Sequence, residues 1–261
     1  PIYNAATMPP IIPVYDIAGN FGGAHGTDMF GYNPVAHQYR MRNNKQLNNR
    51  LLGNVYADIT FLKDFTFHTS FGGESYSGTS NSFSYPVYEG YLPSTTNSYT
   101  EGSTSGYNWT WTNTMSFRKT FNAVHELNVL VGTEAYDAES ENVGGTTFGY
   151  FSFDPAFTTL SSGSGTVSNY SGKTTEGLFS EFGRLNYSYD GRYLLAATIR
   201  RDGSSKFIHD QYGWFPAVSA GWRISRESFM RDIAWITDLK IRGGWGIMGN
   251  QLNVSATNGY Y

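Results

Sequence analysis

The sequence predicts an all-β chain, part of a large antiparallel transmembrane β-barrel of about eight strands with long extracellular loops. Three observations predict it. Apolar and polar residues alternate with period 2 in segment after segment, the connections between these segments are alternately short and long, and Trp and Tyr gather at segment ends and on the apolar faces. Aromatic residues are 17% of the chain, beside 30 Gly and only 15% charged residues, a mixture that favours strands and turns. Apolar stretches run for only a few residues, far short of the roughly 18 that a helical span needs. A mean hydropathy of −0.39 is compatible with a barrel, because half of its strand residues face water and its loops are polar.

The elements follow in order. Residues 1–50 carry Pro9-Pro10, Pro13, several Gly and the turn-initiating dipeptide Asn33-Pro34, and are expected to be an irregular loop segment leading into a barrel part at 51–261. The first strand pair is 51–60 with 65–76, joined across Leu62-Lys63-Asp64. The clearest alternation is at 107–118, where Tyr107, Trp109, Trp111, Met115 and Phe117 oppose Asn108, Thr110, Thr112, Thr114, Ser116 and Arg118. Its partner 126–135 sets Leu127, Val129, Val131 and Ala135 against Glu126, Asn128 and Glu134, with Asn122-Ala123-Val124 as the tight connection. Next come 178–189 and 192–202 across Asp190-Gly191, a favoured two-residue turn. The last pair is 214–225 with 238–249. Trp214, Pro216, Val218, Ala220, Trp222 and Ile224 share one face of the former, and Leu239, Ile241, Trp245 and Ile247 one face of the latter.

The connections convert strands into architecture. Short turns at 62–64, 121–125 and 190–191, with a moderately longer one at 226–236, alternate with long Ser/Thr/Gly/Asn/Tyr-rich segments at 77–105 and 138–176 and a shorter loop at 203–213. All long loops therefore leave one edge, as in outer-membrane barrels, and strands of about ten residues suit a tilted crossing of the hydrocarbon. The rings of Trp109, Trp111, Tyr187, Tyr189, Tyr193, Trp214, Trp222 and Trp245 fit interfacial girdles. The alternative is a soluble all-β glycan-binding or adhesin module whose aromatic faces are buried between two sheets.

No enzyme motif emerges, and no catalytic residue, metal or cofactor is expected. The chain contains 0 Cys, which removes disulfides, thiolate metal sites and cysteine nucleophiles. A net charge of −3 offers no basic footprint for nucleic acid. Glu74, Glu134, Glu139, Glu141 and Glu181 are scattered, and His25, His37, His68, His125 and His209 are isolated, without metal-ligand spacing. Two sets of residues are candidates for binding. In the long loops Tyr85, Tyr88, Tyr91, Tyr99, Tyr150, Phe151, Phe153 and Tyr170 project from polar sequence, and such rings either stack on sugar faces and peptide side chains or pack the loops together or against a partner. On the strands Arg118, Arg223, Lys240 and Arg242 fall on polar faces and would point into a wet lumen.

Three blocks, RLNYSYDGRYLLAATIRRDGSSKF at 184–207, GWFPAVSAGWRIS at 213–225 and LKIRGGWGIMGNQ at 239–251, resemble the barrel of SusC/RagA-type TonB-linked outer-membrane proteins. Similarity extends through PIIPVYDIAGN at 10–20, NPVAHQYRMRNN at 33–44 and RLLGNVYADITFLKDFTFHTSFG at 50–72. The resemblance implies TonB-dependent import of oligosaccharide or oligopeptide across a Gram-negative, Bacteroidetes-like outer membrane, through a multi-pass barrel of roughly 22 strands. It also implies outer-membrane lipid around the wall, a SusD-like surface lipoprotein as lid, and a plug through which the TonB complex acts. Arg118, Arg223, Lys240 and Arg242 would then face that plug or the substrate path. The chain starts at Pro1 without Met and breaks off in mid-pattern at Tyr260-Tyr261, so a fragment is expected, its export signal upstream of what is given or cut off, and the plug and TonB box that the resemblance implies not within it. A passive porin-like pore is the remaining possibility, and a plug in the upstream sequence would eliminate it.

Overall fold

The structure is a computed structural model and describes residues 5–6, 8–23, 33–89, 94–233 and 235–249. Eight strands, β1 (Lys45–Phe61), β2 (Phe65–Ser84), β3 (Ser98–Phe121), β4 (His125–Phe148), β5 (Val167–Tyr189), β6 (Tyr193–Ser204), β7 (Tyr212–Arg223) and β8 (Lys240–Gly246), form one antiparallel sheet in chain order. Each strand lies beside the next in sequence because each is joined to it by a turn or loop that reverses the chain. The three shortest turns share one geometry: Leu62 and Lys63, Asn122 and Ala123, and Asp190 and Gly191 are successive residues at φ between 48° and 62°. Two consecutive left-handed residues give a turn whose twist matches that of the flanking strands. Asp-Gly is made for it, whereas Leu62-Lys63 adopts it against the preference of two side chains with a Cβ.

The strands correct the expected loops. Segments 77–105 and 138–176, read as long loops, are largely strand, leaving 85–97 and 149–166 as the connections. β3 and β4 each run for 24 residues, well over twice the ten or so that a tilted membrane crossing needs. A ladder is bonded through its backbone, so Ser-, Thr- and Tyr-rich sequence continues it wherever neither face requires apolar side chains. Irregular structure does not extend to residue 50 either, since β1 starts at Lys45 and a helix, α1, spans Pro34–Met41. Asn33-Pro34 starts this helix. The Asn33 side-chain oxygen accepts from the N–H groups of Val35 and Ala36, and proline stands at the first helical position, where no N–H is needed.

The chain divides into two compact units, residues 1–50, 76–105 and 140–173 in one and 51–75, 106–139 and 174–261 in the other. In the first, Asn33 is 2% exposed, and its side-chain N–H groups donate to the carbonyls of Val14 and Gly22, both at 2.8 Å, tying segment 8–23 to the helix start. Arg40 of α1 grips both carboxylate oxygens of Glu89. Burial alone would raise the Glu89 carboxyl, but the hydrogen bonds and charge of Arg40 outweigh it and hold the group below its usual range. Phe83, Tyr99 and Tyr150 form a buried aromatic cluster, the only one among the described residues, flanked by Tyr85 and Leu160.

The second unit contains β6 to β8 and segments of the other strands, and its register is regular: Tyr189 opposes Tyr193, Tyr193 opposes Trp222, and Trp222 opposes Ile241. Among the described residues its sole buried apolar side chain is Met230, so no described part of this chain forms a second layer on the sheet. That is opposite to a soluble sandwich, whose inner faces would be sealed against each other.

Candidate functional site

Register sorts the side chains of β5–β8 into two faces. Leu185, Tyr187 and Tyr189 lie beside Ala197, Leu195 and Tyr193, these beside Val218, Ala220 and Trp222, and the last three beside Trp245, Gly243 and Ile241. Leu195, Ile199, Trp214, Val218, Trp222, Ile241 and Trp245 of this face are 38–62% exposed. So large an open apolar face is unstable in water and stable in hydrocarbon. Most of its aromatic residues form two rows, whereas Trp245, opposite Val218, lies between them rather than in a girdle. Tyr187, Tyr189, Tyr193 and Trp222 mark the end with the short turns, and Tyr212 and Trp214 the other. Trp214 and Trp222 are eight residues apart on one strand, roughly 26 Å of extended chain, close to the height of the apolar band of an outer-membrane barrel. The one ion pair on this face, Arg201 with Glu181 at 2.9 Å, lies at the Trp214 row, where the guanidinium covers the Tyr212 ring 3.9 Å from its centroid. A charge placed there snorkels to the interface.

The opposite face is hydrophilic. Arg118, Lys240 and Arg242 line one concavity of about 760 Å³ together with Asn128, Asn186 and Ser219. Glu126 is its sole carboxylate among the described residues, so the concavity is electropositive. Three of the four sequence-predicted cations are thus brought together. The fourth, Arg223, shares their face opposite Lys240, but its guanidinium turns to Asp238 at 3.5 Å, and its backbone N–H donates to the Arg192 carbonyl at 2.7 Å. Further along the same face, Arg200 donates to Glu134, Asp202 and Ser180, and rests over the Phe182 ring.

At the short-turn end one carboxylate collects three donors. Glu227 accepts from the Trp222 indole N–H at 3.0 Å, the Tyr193 hydroxyl at 2.8 Å and Arg192 at 3.1 Å. The indole and phenol bonds, aided by Arg192, hold its carboxyl below the ordinary value in spite of burial. Sequence reading missed Glu227 and Arg200, whose partners lie up to 35 and 66 residues away and meet only through register.

The aromatics expected in loops separate into packed and open rings, and two of them, Tyr99 on β3 and Tyr170 on β5, stand on strands instead. Tyr99 and Tyr150 are buried on Phe83, and Tyr85 and Phe153 stack at its edge with centroids 4.8 and 5.7 Å away. Asn97 locks Tyr150 by a reciprocal pair of 2.7 Å bonds to its backbone. Tyr170 lies across Gly102 and Gly144, where a side chain on either glycine would strike its hydroxyl. Tyr88 and Phe151 are open, at 66% and 85% exposure, and so is Phe157, which sequence reading did not single out. Tyr91 lies outside the described residues.

One face for lipid, one for water and β strands in chain order define a wall segment of a membrane β-barrel. Comparison with known proteins places it further. The chain is 33% identical over 228 residues to TonB-dependent receptor SusC of Bacteroides thetaiotaomicron, a match covering 84% of this chain and 21% of the receptor. It is 30% identical over 263 residues to TonB-dependent receptor P26 of Formosa agariphila, covering 95% of this chain and 25% of that protein. Among solved structures, the RagAB peptide transporter superposes with a TM-score of 0.74 at 21% identity, over 89% of this chain and 26% of that one. The RagAB importer in its closed-closed state gives 0.75 at 21% identity over 94% and 27%. No family profile matches the sequence. The chain belongs to the SusC/RagA-type TonB-linked outer-membrane proteins and spans about a fifth to a quarter of the length of the relatives it matches.

Proposed function

We propose that the full-length protein carrying this stretch is an importer in a Gram-negative outer membrane, taking up oligosaccharide or oligopeptide nutrients under TonB control and performing no covalent chemistry. The observation that carries the reading is the two-faced sheet, with an open apolar side bounded by two aromatic rows and an opposite side bearing Arg118, Lys240 and Arg242 around one concavity. Family membership supplies the TonB link. The three cations fit an acidic surface of a plug filling the lumen, where low dielectric walls strengthen charge pairing. Arg223 flanks them and fastens the turn. Tyr88 and Phe151 serve as contacts for the solute or for a SusD-like lipoprotein lid, while Tyr85, Tyr99, Tyr150, Phe153 and Tyr170 hold the surrounding chain in shape.

Whole-cell uptake tests the proposal. Cells expressing the protein take up labelled maltooligosaccharides or labelled tri- to hexapeptides, and loss of TonB abolishes that uptake. Uptake of neither class, or uptake that persists without TonB, overturns it.

A further inference from the structure

We propose that the hydrophilic face of β4–β7 holds a recognition pocket for a primary ammonium group, as carried by a peptide N-terminus or a lysine side chain. The inference rests on the import reading and narrows it to cationic peptides. A cavity of about 470 Å³ opens there, lined by Glu134, Tyr136, Asp202, Phe207, Asp210 and Phe215 among others, a size within the usual range of small-ligand sites. Register fixes the face, since Ser180 opposes Asp202, Phe182 opposes Arg200, and Arg200 opposes Phe215. This is the side away from the apolar band.

Charge decides the ligand class. The charged side chains lining the cavity are Glu134, Asp202, Asp210 and Arg200. Arg200 is held by Glu134 and Asp202 at once, and with Asp210 beside them three carboxylates share the lining with one guanidinium, so the cavity is net negative. An acidic glycan or a peptide carboxylate is repelled there. A neutral sugar gains nothing from the surplus. An ammonium group gains from the carboxylates, and Tyr136, Phe207 and Phe215 line the same cavity with aromatic rings, whose faces attract cations within about 6 Å of a centroid. The electropositive concavity of Arg118, Lys240 and Arg242 is lined by other residues, so one face carries two sites of opposite sign.

Calorimetric titration of the purified full-length transporter tests this, with trilysine as the cationic probe and maltotriose as the neutral one. Trilysine binds the wild type, its affinity falls about tenfold in Asp210→Asn and severalfold in Phe215→Leu, and maltotriose does not displace it. Glu181→Gln, on the opposite face, leaves binding unchanged. Unaltered affinity in Asp210→Asn, displacement by maltotriose, or an equal loss in Glu181→Gln each overturns the pocket. Failure of trilysine to bind while TonB-dependent uptake remains intact disproves the pocket alone. Absence of TonB-dependent uptake of any solute disproves the import reading beneath it.

Discussion

Val218 and Ser219 are adjacent on β7, yet an arginine at one should cost far more than at the other. Val218 lies four residues from Trp214 and four from Trp222, roughly 13 Å of strand from either aromatic row, at the middle of the apolar band. Its neighbours across the sheet are Ala197 and Trp245, both on the apolar face. An arginine there cannot reach either interface without distortion, and a charge on the lipid face at the midplane costs about 2–4 kcal/mol. Ser219 points the other way, between Ala196 and Gly244, into the concavity that already holds Lys240 and Arg242. Water solvates a guanidinium there, and the cost should stay below about 1 kcal/mol, from repulsion by the neighbouring cations. The full-length Val218→Arg and Ser219→Arg variants, folded into phosphatidylcholine vesicles and unfolded with urea, should differ by roughly 5- to 700-fold in folding equilibrium constant, from a difference of about 1–4 kcal/mol. Equal destabilisation of the two variants, or a larger loss at Ser219, would refute the assignment of faces.

Two further predictions rest on other parts of the chain. Leu62 and Lys63 occupy left-handed backbone at φ 49° and 62°, so replacing them with Asn-Gly should stabilise the β1–β2 hairpin by about 1 kcal/mol, seen as a higher urea midpoint; an unchanged midpoint counts against the turn geometry. The Glu89 carboxyl is held below its ordinary value of 4.5, so the stabilisation by Arg40 is complete above pH 4.5 and is lost as the pH falls below it. For this largely buried, bidentate pair the loss is about 1.5–3 kcal/mol, measurable as falling amide-exchange protection of α1, and Glu89→Gln should remove this acid step; an identical step in that variant contradicts the pairing.

How much was legible depended on where the governing interaction lies. The alternation at 107–118 and 214–223 identified strands, because a side chain's face depends only on its place in its own strand, whereas Ile224, expected on the same face as Trp222, begins a 3-10 turn. The strand extensions were illegible for the converse reason. Ser, Thr and Gly in 77–84 and 140–148 carry no apolar period, since neither face there needs one, and their ladder is held by backbone bonds that sequence composition does not reveal. Asn33-Pro34 suits a turn and a helix start equally, and what distinguishes them is the pair of carbonyls, Val14 and Gly22, that the Asn33 amide finds far back in the chain. Among the site residues, Arg118, Lys240 and Arg242 were found as individuals from strand parity. Their convergence, like that of Arg200 with Glu134, needed the register of strands that only the fold supplies. The rings were identifiable as aromatic, but burial of Tyr99 of β3 and Tyr150 of the connection after β4 on Phe83 of β2 depends on contacts distant in sequence, which no local pattern encodes.

The central claim is that successive residues of these strands meet hydrocarbon and water in turn. Spin labels placed singly at each position from 194 to 201 of β6, in a cysteine-free full-length protein in vesicles, test it through collision with oxygen and with a water-soluble nickel chelate. Positions 195, 197 and 199 should be accessible to oxygen, and 194, 196 and 198 to nickel, in strict alternation. Odd positions shielded from both reagents, or no alternation at all, would contradict a lipid-facing wall.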